Sequence, residues 1–178
     1  LRASMAMLLM GNFSEGLKLY EWRWAAQAQG VPARKFQAPL WLGQEPIEGK
    51  TILLASEQGF GDVIQFSRYA KLLAERGARV ALETPRPLAS LLRGLAGVDR
   101  FVGESNGQGF DFYCPLLSLP LALGTRLDTV PAEPAYLHAD PDKLAFWADR
   151  LGPKTATRVG LVWSGNKDHV NDRNRSLP

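Results

Sequence analysis

The stretch TILLASEQGFGDVIQFSRYAKLLAERGARVALET, residues 51–84, decides the fold of this chain. In chain order it predicts a strand over 51–56, a helix over 62–76 and a second strand over 79–84. The apolar run at the start is typical of a strand that is buried on both faces. Gly59 and Gly61 then permit a tight turn, and Asp62 opens the helix. Because ligands bind at the carboxyl ends of strands in open α/β sheets, the turn is the first candidate site.

The same alternation of strands and helices continues toward the carboxyl terminus. The further predicted elements are a short helix over 88–95, strands over 100–102, 110–113 and 135–137, a helix over 140–151 and a strand over 158–163. Asp140 is the predicted N-cap of the last helix, with Pro141 at its first position. Repeated strand–helix units with short loops indicate a parallel sheet with right-handed crossovers. The predicted fold class is therefore α/β with a Rossmann-like parallel sheet.

A helical hairpin over 1–28 and a connector over 29–50 precede this sheet. Gly11 and Asn12 are expected to end the first helix, and Ser14 is the predicted N-cap of the second. A helix, a glycine-containing turn and a helix with aromatic residues are typical of one helical repeat of about 34 residues. A plain helical hairpin that caps the next domain is the alternative. The aromatic residues of the connector predict that it packs on the neighbouring domain.

Composition excludes several classes of protein. The chain has 178 residues, 46% of them hydrophobic, which is ordinary for a globular protein that holds one α/β domain plus attachments. Its net charge is only +3 and no block of Lys or Arg occurs, so nucleic acid is not an expected partner. No apolar run approaches the ~20 residues of a membrane span. Cys114 is the single cysteine, so we expect no internal disulfide and a cytoplasmic location. Both ends of the chain are interpreted as cut from a longer protein.

The motif EQGFGD, residues 57–62, permits different interpretations of its aspartate. As an N-cap, Asp62 would form a capping box with Gln65. As a general base, it would take a proton from a hydroxyl group. A dinucleotide site is disfavoured, because Ile64 replaces the third glycine of the fingerprint and Asp62 would face the pyrophosphate. Like charges at ~5 Å in an effective dielectric of ~20 repel by ~3 kcal/mol.

A second polar motif, SGNKDHVNDRNRS, covers residues 164–176 and follows the predicted strand VGLVW. Its arginines suit bidentate contact with a diphosphate, and its histidine suits hydrogen bonding near a leaving group. The candidate donor-side residues are Gly165, Asn166, His169, Arg173 and Arg175. A solvated loop with an Asp172–Arg175 surface pair is the alternative. A metal site is disfavoured because no second His or Cys lies nearby.

The segment CPLLSLPLALGT, residues 114–125, is interpreted as mostly structural. Cys114 is expected to be a small core residue, because no histidine is placed to activate its thiol. Ser118 is the predicted N-cap of a following helix, and it also lies at a strand end where a ligand could be reached. His138 is interpreted as structural.

These three motifs, together with the helical segment LLMGNFSEGLKLYEWRW, resemble bacterial proteins that join tetratricopeptide repeats to a glycosyltransferase-like domain. That domain is related to the heptosyltransferases of glycosyltransferase family nine. The resemblance implies a GT-B architecture, with 51–151 as the amino-terminal lobe and 152–178 as the start of the carboxyl-terminal lobe. It also implies metal-independent transfer without a cofactor, with a nucleotide sugar as substrate. The glycine–aspartate pair of the family matches Gly61 and Asp62, whereas Glu57 and Gln58 replace small or hydroxyl residues.

The first hypothesis is therefore a glycosyltransferase fragment that has no turnover by itself. Asp62 would deprotonate a hydroxyl acceptor, and Arg173 and Arg175 would stabilise the departing diphosphate of the nucleotide-sugar donor. The predicted acceptor-side loop consists of Glu57, Gln58, Gly59 and Gly61. The second hypothesis is an inactive glycosyltransferase-like scaffold whose helical repeats bind a protein partner. A third, an NAD-dependent oxidoreductase, would require the sheet domain to bind the cofactor.

Overall fold

The computed structural model describes residues 1–25, 34–167, 171–174 and 176–177. The chain divides into two compact units, Leu1–Ala139 and Asp140–Pro178. Two of the predicted site residues, His169 and Arg175, lie outside the described residues. None of the helices in the described ranges combines the length and the apolar character that crossing a membrane requires.

The first unit begins with a helical hairpin. Its elements are α1 (Arg2–Leu9), α2 (Phe13–Tyr20) and a 3-10 turn (Glu21–Arg23). The predicted cap is wrong by two residues: Asn12 is the N-cap of α2, and its side chain accepts the Glu15 N–H at 3.4 Å. Ser14 already lies inside the first turn and donates its hydroxyl to Asn12. Gly16 lets the helices approach closely, because a Cβ there would stand 2.9 Å from a methyl of Leu8.

The sheet that follows is wholly parallel. The strands of the described residues are β1 (Thr51–Ala55), β2 (Arg79–Glu83), β3 (Arg100–Val102) and β4 (Phe112–Pro115), in the order β3-β2-β1-β4. This confirms the predicted α/β class with a Rossmann-like parallel sheet after a helical part. The chain runs outward from β1 to β3 and then returns to place β4 on the other side of β1. The point between β1 and β4 is therefore the topological switch point, where such sheets bind ligands.

Helices and 3-10 turns cover the sheet in shorter pieces than predicted. They are α3 (Phe60–Ser67), α4 (Ala70–Glu75), a turn at Arg86–Leu88, α5 (Ala89–Leu92), a turn at Leu116–Ser118, α6 (Leu119–Ala122) and a turn at Leu127–Thr129. The predicted helix over 62–76 begins earlier and is broken between Ser67 and Ala70. The Ser67 hydroxyl donates to the Ile64 carbonyl at 2.9 Å, a back-bond that bends helices. The predicted strand over 110–113 lies two residues later, as β4.

The described part of the connector, residues 34–50, packs onto the sheet, as its aromatic residues predicted. The Trp41 side chain is almost fully buried in the core, and the Trp41 backbone N–H donates to the Tyr113 carbonyl in β4 at 2.9 Å. Tyr113 in turn donates its N–H to Pro39 at 2.9 Å. Gly43, at φ +97°, allows a close backbone approach, because a Cβ there would stand 2.1 Å from the Ala122 carbonyl oxygen. The connector is thus a structural part of the first unit.

Residues 135–137 were predicted to form a strand, and this prediction is wrong. The segment is irregular, and side chains rather than backbone pairing attach it to the unit. The Tyr136 hydroxyl donates to the Ile64 carbonyl at 2.8 Å, and the Arg68 guanidinium lies 4.2 Å from the centre of the Tyr136 ring. So short an apolar segment does not show from sequence alone whether backbone pairing or side-chain contacts attach it.

In the second unit, the predicted helix forms as α7 (Pro141–Leu151). Asp140 is its N-cap, and the carboxylate accepts the N–H of Asp142 at 2.9 Å. At the other end, the Arg158 guanidinium donates to the Gly152 carbonyl at 2.7 Å. A cation at the carboxyl end of a helix satisfies free carbonyls and complements the helix dipole. Both ends of this helix are therefore stabilised by local side chains.

The predicted strand over 158–163 is absent, and residues 157–166 are irregular. Their apolar side chains are exposed, Val162 to 94%. A strand needs a hydrogen-bonded neighbour, and the described residues after Asp140 contain no strand that could provide one. The expectation that the motif over 164–176 follows a strand is therefore not met by the described structure.

Candidate functional site

The carboxyl edge of the sheet, meaning the side where the parallel strands end, holds a buried carboxylate at its switch point. Glu57 follows β1, and its side chain is only 4% exposed. It accepts from Arg23 twice, from Nε at 3.0 Å and from Nη2 at 2.9 Å, in a bidentate pair. The backbone N–H of Leu117, which follows β4, donates to the same carboxylate at 3.0 Å. Glu57 thus joins the ends of β1 and β4 to the helical hairpin.

Arg23 is enclosed on all sides, with a side-chain exposure of 5%. Its Nη2 also donates to the Ser118 hydroxyl at 2.7 Å, and its Nη1 donates to Glu21 at 2.6 Å. The guanidinium lies 4.8 Å from the ring centre of Tyr20 and 4.6 Å from that of Trp24. These contacts compensate for the loss of water around the buried cation.

Burial and pairing act against each other in this pair. Burial disfavours the charged form of Arg23, but the hydrogen bonds and charge of Glu57 outweigh it and raise the pKa of the guanidinium. Burial raises the pKa of the Glu57 carboxyl, whereas Arg23 and the Leu117 N–H oppose that rise. The bidentate geometry holds the two groups as an ion pair. A buried pair of this kind tolerates the loss of either partner poorly.

A second pair lies at the other part of the same edge. Glu83 ends β2, and both of its carboxylate oxygens accept from Arg34 Nη1 at 2.9 Å. Burial raises the pKa of the Glu83 carboxyl, and Arg34 opposes that rise. Glu83 also accepts the N–H of Ser56, while Arg34 donates to the Ser105 carbonyl at 2.7 Å. A dinucleotide fingerprint includes an acidic residue at the end of the second strand that binds a ribose, and Glu83, which lies at that place here, is already bonded to Arg34.

Asp62 lies at the third position of α3 and is half-buried. Its Oδ2 accepts the N–H of Gly59 at 2.9 Å, and within the described ranges no hydrogen bond to its Oδ1 is present. The prediction that Asp62 is the N-cap, with Gln65 completing a capping box, is wrong. Because α3 begins at Phe60, Gly59 is the N-cap, and Asp62 reaches back to its free N–H.

The remaining residues of the predicted acceptor-side loop lie in the same turn as Asp62. Gln58 adopts a left-handed backbone at φ +58° and donates its amide to the Tyr20 hydroxyl at 3.0 Å. Gly59 and Gly61 are exposed. Glu57 and Gln58, the residues that depart from the family pattern, therefore both contact the helical hairpin. Their catalytic or binding role stays a prediction.

The candidate donor-side residues belong to the second unit. The Gly165 N–H donates to the Ser176 hydroxyl at 2.8 Å, which donates to Asp172 at 2.6 Å. Arg173 is exposed in a 3-10 turn, and Asn166 is also exposed. Hydrogen bonds thus join Gly165, Ser176 and Asp172, and diphosphate binding by this motif stays a prediction.

The structural interpretation of the segment 114–125 holds for its cysteine. Cys114 is fully buried in β4, and burial raises the pKa of its thiol well above the ordinary value. The prediction that Ser118 is the N-cap of a following helix is confirmed in position, because Ser118 is the N-cap of α6, but its side chain makes no cap hydrogen bond. Its hydroxyl instead contacts Arg23 and Glu21. His138 is exposed.

Sequence reasoning missed both arginines of this site. The sequence did contain a signal, because Glu57 lies two residues after the buried strand β1 and Glu83 is the last residue of β2, positions where a buried carboxylate needs a cation. The sequence could not say which of its arginines would supply the charge. Arg23 and Arg34 come from the hairpin and the connector, whose packing on the sheet is a tertiary feature.

The fold and this edge define an α/β protein with a Rossmann-like parallel sheet whose switch point is joined to a helical hairpin. No family profile matches the chain. It is similar to Protein FlbA of Caulobacter vibrioides (strain ATCC 19089 / CIP 103742 / CB 15), with 25% identity over 183 residues. That alignment covers 90% of this chain but 30% of FlbA, so the chain spans under a third of that relative. No solved structure matches.

Proposed function

We propose that this chain carries the acceptor side of a glycosyltransferase, with Asp62 as the general base. The observation that carries the proposal is a contrast at the carboxyl edge of the sheet. Glu57 and Glu83 are buried and paired with arginines, whereas Asp62 is half-exposed and one of its oxygens has no hydrogen bond within the described residues. A positioned carboxylate of this kind can accept a proton from a hydroxyl group. The resemblance of the surrounding motif to heptosyltransferases supports the same role.

The proposed reaction uses a nucleotide sugar as donor. Asp62 removes the hydroxyl proton of the acceptor while the acceptor oxygen forms a bond to the anomeric carbon. The bond from that carbon to the diphosphate oxygen breaks, and the nucleoside diphosphate leaves with the bonding electrons. Arg173 and Arg175 are the proposed partners of the departing diphosphate, because a guanidinium binds phosphate oxygens through two parallel N–H donors.

The test measures release of nucleoside diphosphate by the full-length natural protein from a panel of nucleotide sugars and hydroxyl acceptors. Asp62→Asn is expected to lower turnover by about 10²-fold or more, the range of a lost general base. Its thermal stability should change little, because the asparagine oxygen can still accept the Gly59 N–H. Asp128→Asn is the matched control, since Asp128 is an exposed carboxylate in the same unit. Full activity of Asp62→Asn, or equal loss of activity and stability, would contradict the proposal.

A second candidate is an inactive scaffold whose helical hairpin binds a protein partner. The observation that favours it is the occupied switch point, because Arg23 and Glu57 fill the place where such sheets bind ligands. Calorimetric titration with the same nucleotide sugars separates the two candidates. The scaffold predicts no binding of any donor, whereas the enzyme predicts saturable binding. A fluorescence titration with NAD in parallel tests the oxidoreductase hypothesis.

A further inference from the structure

We propose that Arg23, although it lies outside the sheet domain, is a positioning residue for Asp62. The inference rests on the proposed function, in which Asp62 is the base. Its basis is a continuous series of contacts from the helical hairpin through residues 57–62, which we name the Asp62 turn.

The first step fixes the start of the Asp62 turn. Glu57 is held by two hydrogen bonds from Arg23 and one from the Leu117 N–H. Arg23 is itself held by Glu21 and by Ser118, so the carboxylate is bound to a rigid partner. A planar guanidinium in a bidentate pair fixes orientation as well as distance. These three bonds therefore restrict the backbone at Glu57.

The residue after Glu57, Gln58, has an uncommon backbone conformation. Among the residues that the structure describes, Gln58 is the one non-glycine residue with a positive φ, at +58°. Residues that carry a Cβ rarely adopt this backbone conformation. Such a conformation persists only when its surroundings impose it. Here the surroundings are Glu57 on one side and the bond from the Gln58 amide to the Tyr20 hydroxyl on the other. The Gln58 bond and two of the three bonds that hold Glu57 involve the helical hairpin.

The Asp62 carboxylate is held by the backbone that follows Gln58. The conformation of Gln58 directs the N–H of Gly59, which donates to Asp62 Oδ2 at 2.9 Å. If Gln58 relaxes to a negative φ, this N–H turns away and the Asp62 side chain loses the bond that sets its rotamer. The helical hairpin thus determines the direction of Asp62 through the Asp62 turn.

The experiment measures backbone order parameters by 15N relaxation in this chain. Arg23→Met combined with Glu57→Gln removes both charges of the pair, so neither is left buried without its partner. Glu21 also loses Arg23, but its side chain is 18% exposed and keeps its bond from Ser118. The order parameter at Gly59 is expected to fall from the rigid value of ~0.85 to below ~0.6, while Leu54 in β1 stays rigid. Lys18→Ala is the control, because it removes an exposed ion pair of the same hairpin. A rigid Gly59 in the double variant would overturn the proposal.

If the double variant also loses order at Leu54, the sheet itself is disturbed, and Tyr20→Phe then tests the proposal. Tyr20→Phe removes only the hydroxyl that accepts from Gln58, and it leaves the ion pair intact. It is expected to lower the order parameters of Gln58 and Gly59 relative to Leu54. Unchanged values at both residues would overturn the proposal.

The test is independent of the proposed function, because it does not use turnover. In the active full-length protein, the double variant should lower kcat and leave the KM for the donor unchanged. If Asp62→Asn has no effect on turnover while the order parameters fall as expected, the general-base role fails and the positioning by Arg23 stands. If Asp62→Asn abolishes turnover and Gly59 stays rigid, the general-base role stands and the positioning by Arg23 fails.

Discussion

The Arg23–Glu57 pair and the Arg34–Glu83 pair lie at the same edge of the sheet but differ in their access to water. In both pairs the glutamate side chain is nearly inaccessible, 4% exposed for Glu57 and 5% for Glu83. The arginines differ, because Arg23 is 5% exposed and Arg34 is 24% exposed. Water can therefore replace part of what Arg34 provides, and it cannot do so for Arg23.

This difference shows how the segments before the sheet complete the first unit. The hairpin supplies Arg23 at the switch point, and the connector supplies Arg34 near the ends of β1, β2 and β3. The edge that such a sheet ordinarily offers to ligands is thus partly occupied by this chain's own side chains. Asp62 remains accessible beside them, which is why the proposed chemistry is placed there.

The largest expected effect comes from breaking the deeper pair. Arg23→Ala leaves Glu57 buried without its cation, and we expect a loss of about 3–5 kcal/mol in the free energy of unfolding. Urea denaturation followed by tryptophan fluorescence measures it. A loss below about 1 kcal/mol would mean that the switch point is open to water, as surface pairs are.

The same change in the shallower pair tests the comparison directly. Arg34→Ala removes the partner of Glu83 at a position that water can reach, so we expect a smaller loss of about 1–3 kcal/mol. In the wild-type protein, added salt should weaken the Arg34–Glu83 pair more than it weakens the Arg23–Glu57 pair. An equal or larger loss than for Arg23→Ala would contradict the ranking of the two pairs by burial.

A third prediction concerns Asp111, which lies at the opposite edge of the sheet. Hydrogen bonds from the Thr51 N–H and hydroxyl hold the pKa of this carboxyl below its usual value, and Lys50 contributes. A carboxyl whose folded pKa is lowered stabilises the fold above its unfolded pKa, and that stability is lost as the pH falls through the folded value. Asp111→Ala should therefore lower stability at neutral pH, by less than either arginine variant. The difference from wild type should disappear on acidification, and a constant difference would exclude the ionised carboxylate as its cause.

The smallest effect is expected at the surface of the hairpin. Lys18 and Glu15 form an ion pair with side chains 63% and 54% exposed. Lys18→Ala should change the free energy of unfolding by no more than about 0.5 kcal/mol, because exposed pairs gain little over hydration. A loss comparable to that of Arg34→Ala would show that exposure does not order these effects.

The sequence predicted the regular parts of the fold where the pattern was continuous. The run ILLA gave β1, and the strand over 79–84 and the helix over 140–151 lie within a residue of the observed elements. Predictions failed where side chains compete with regular backbone hydrogen bonding. The break after Ser67, the shift of the cap from Asp62 to Gly59 and the irregular segment at Tyr136 are examples.

The candidate site was predictable only in its local part. The glycine turn and Asp62 are contiguous in sequence, so their grouping follows from the position of β1. Arg23 lies 34 residues from Glu57 and 95 residues from Ser118, and nothing in the local pattern indicates these contacts. Packing between segments decides them, which only the three-dimensional structure provides.

The most direct test of the account is a double-mutant cycle on Arg23 and Glu57, measured as free energies of unfolding. Arg23→Met and Glu57→Gln are compared singly and together. If the two residues close the switch point as one buried unit, the double variant should recover stability relative to the sum of the single losses, with a coupling energy of about 2 kcal/mol or more. Additive losses, within about 0.5 kcal/mol, would contradict the claim that the helical hairpin is joined to the sheet through this pair.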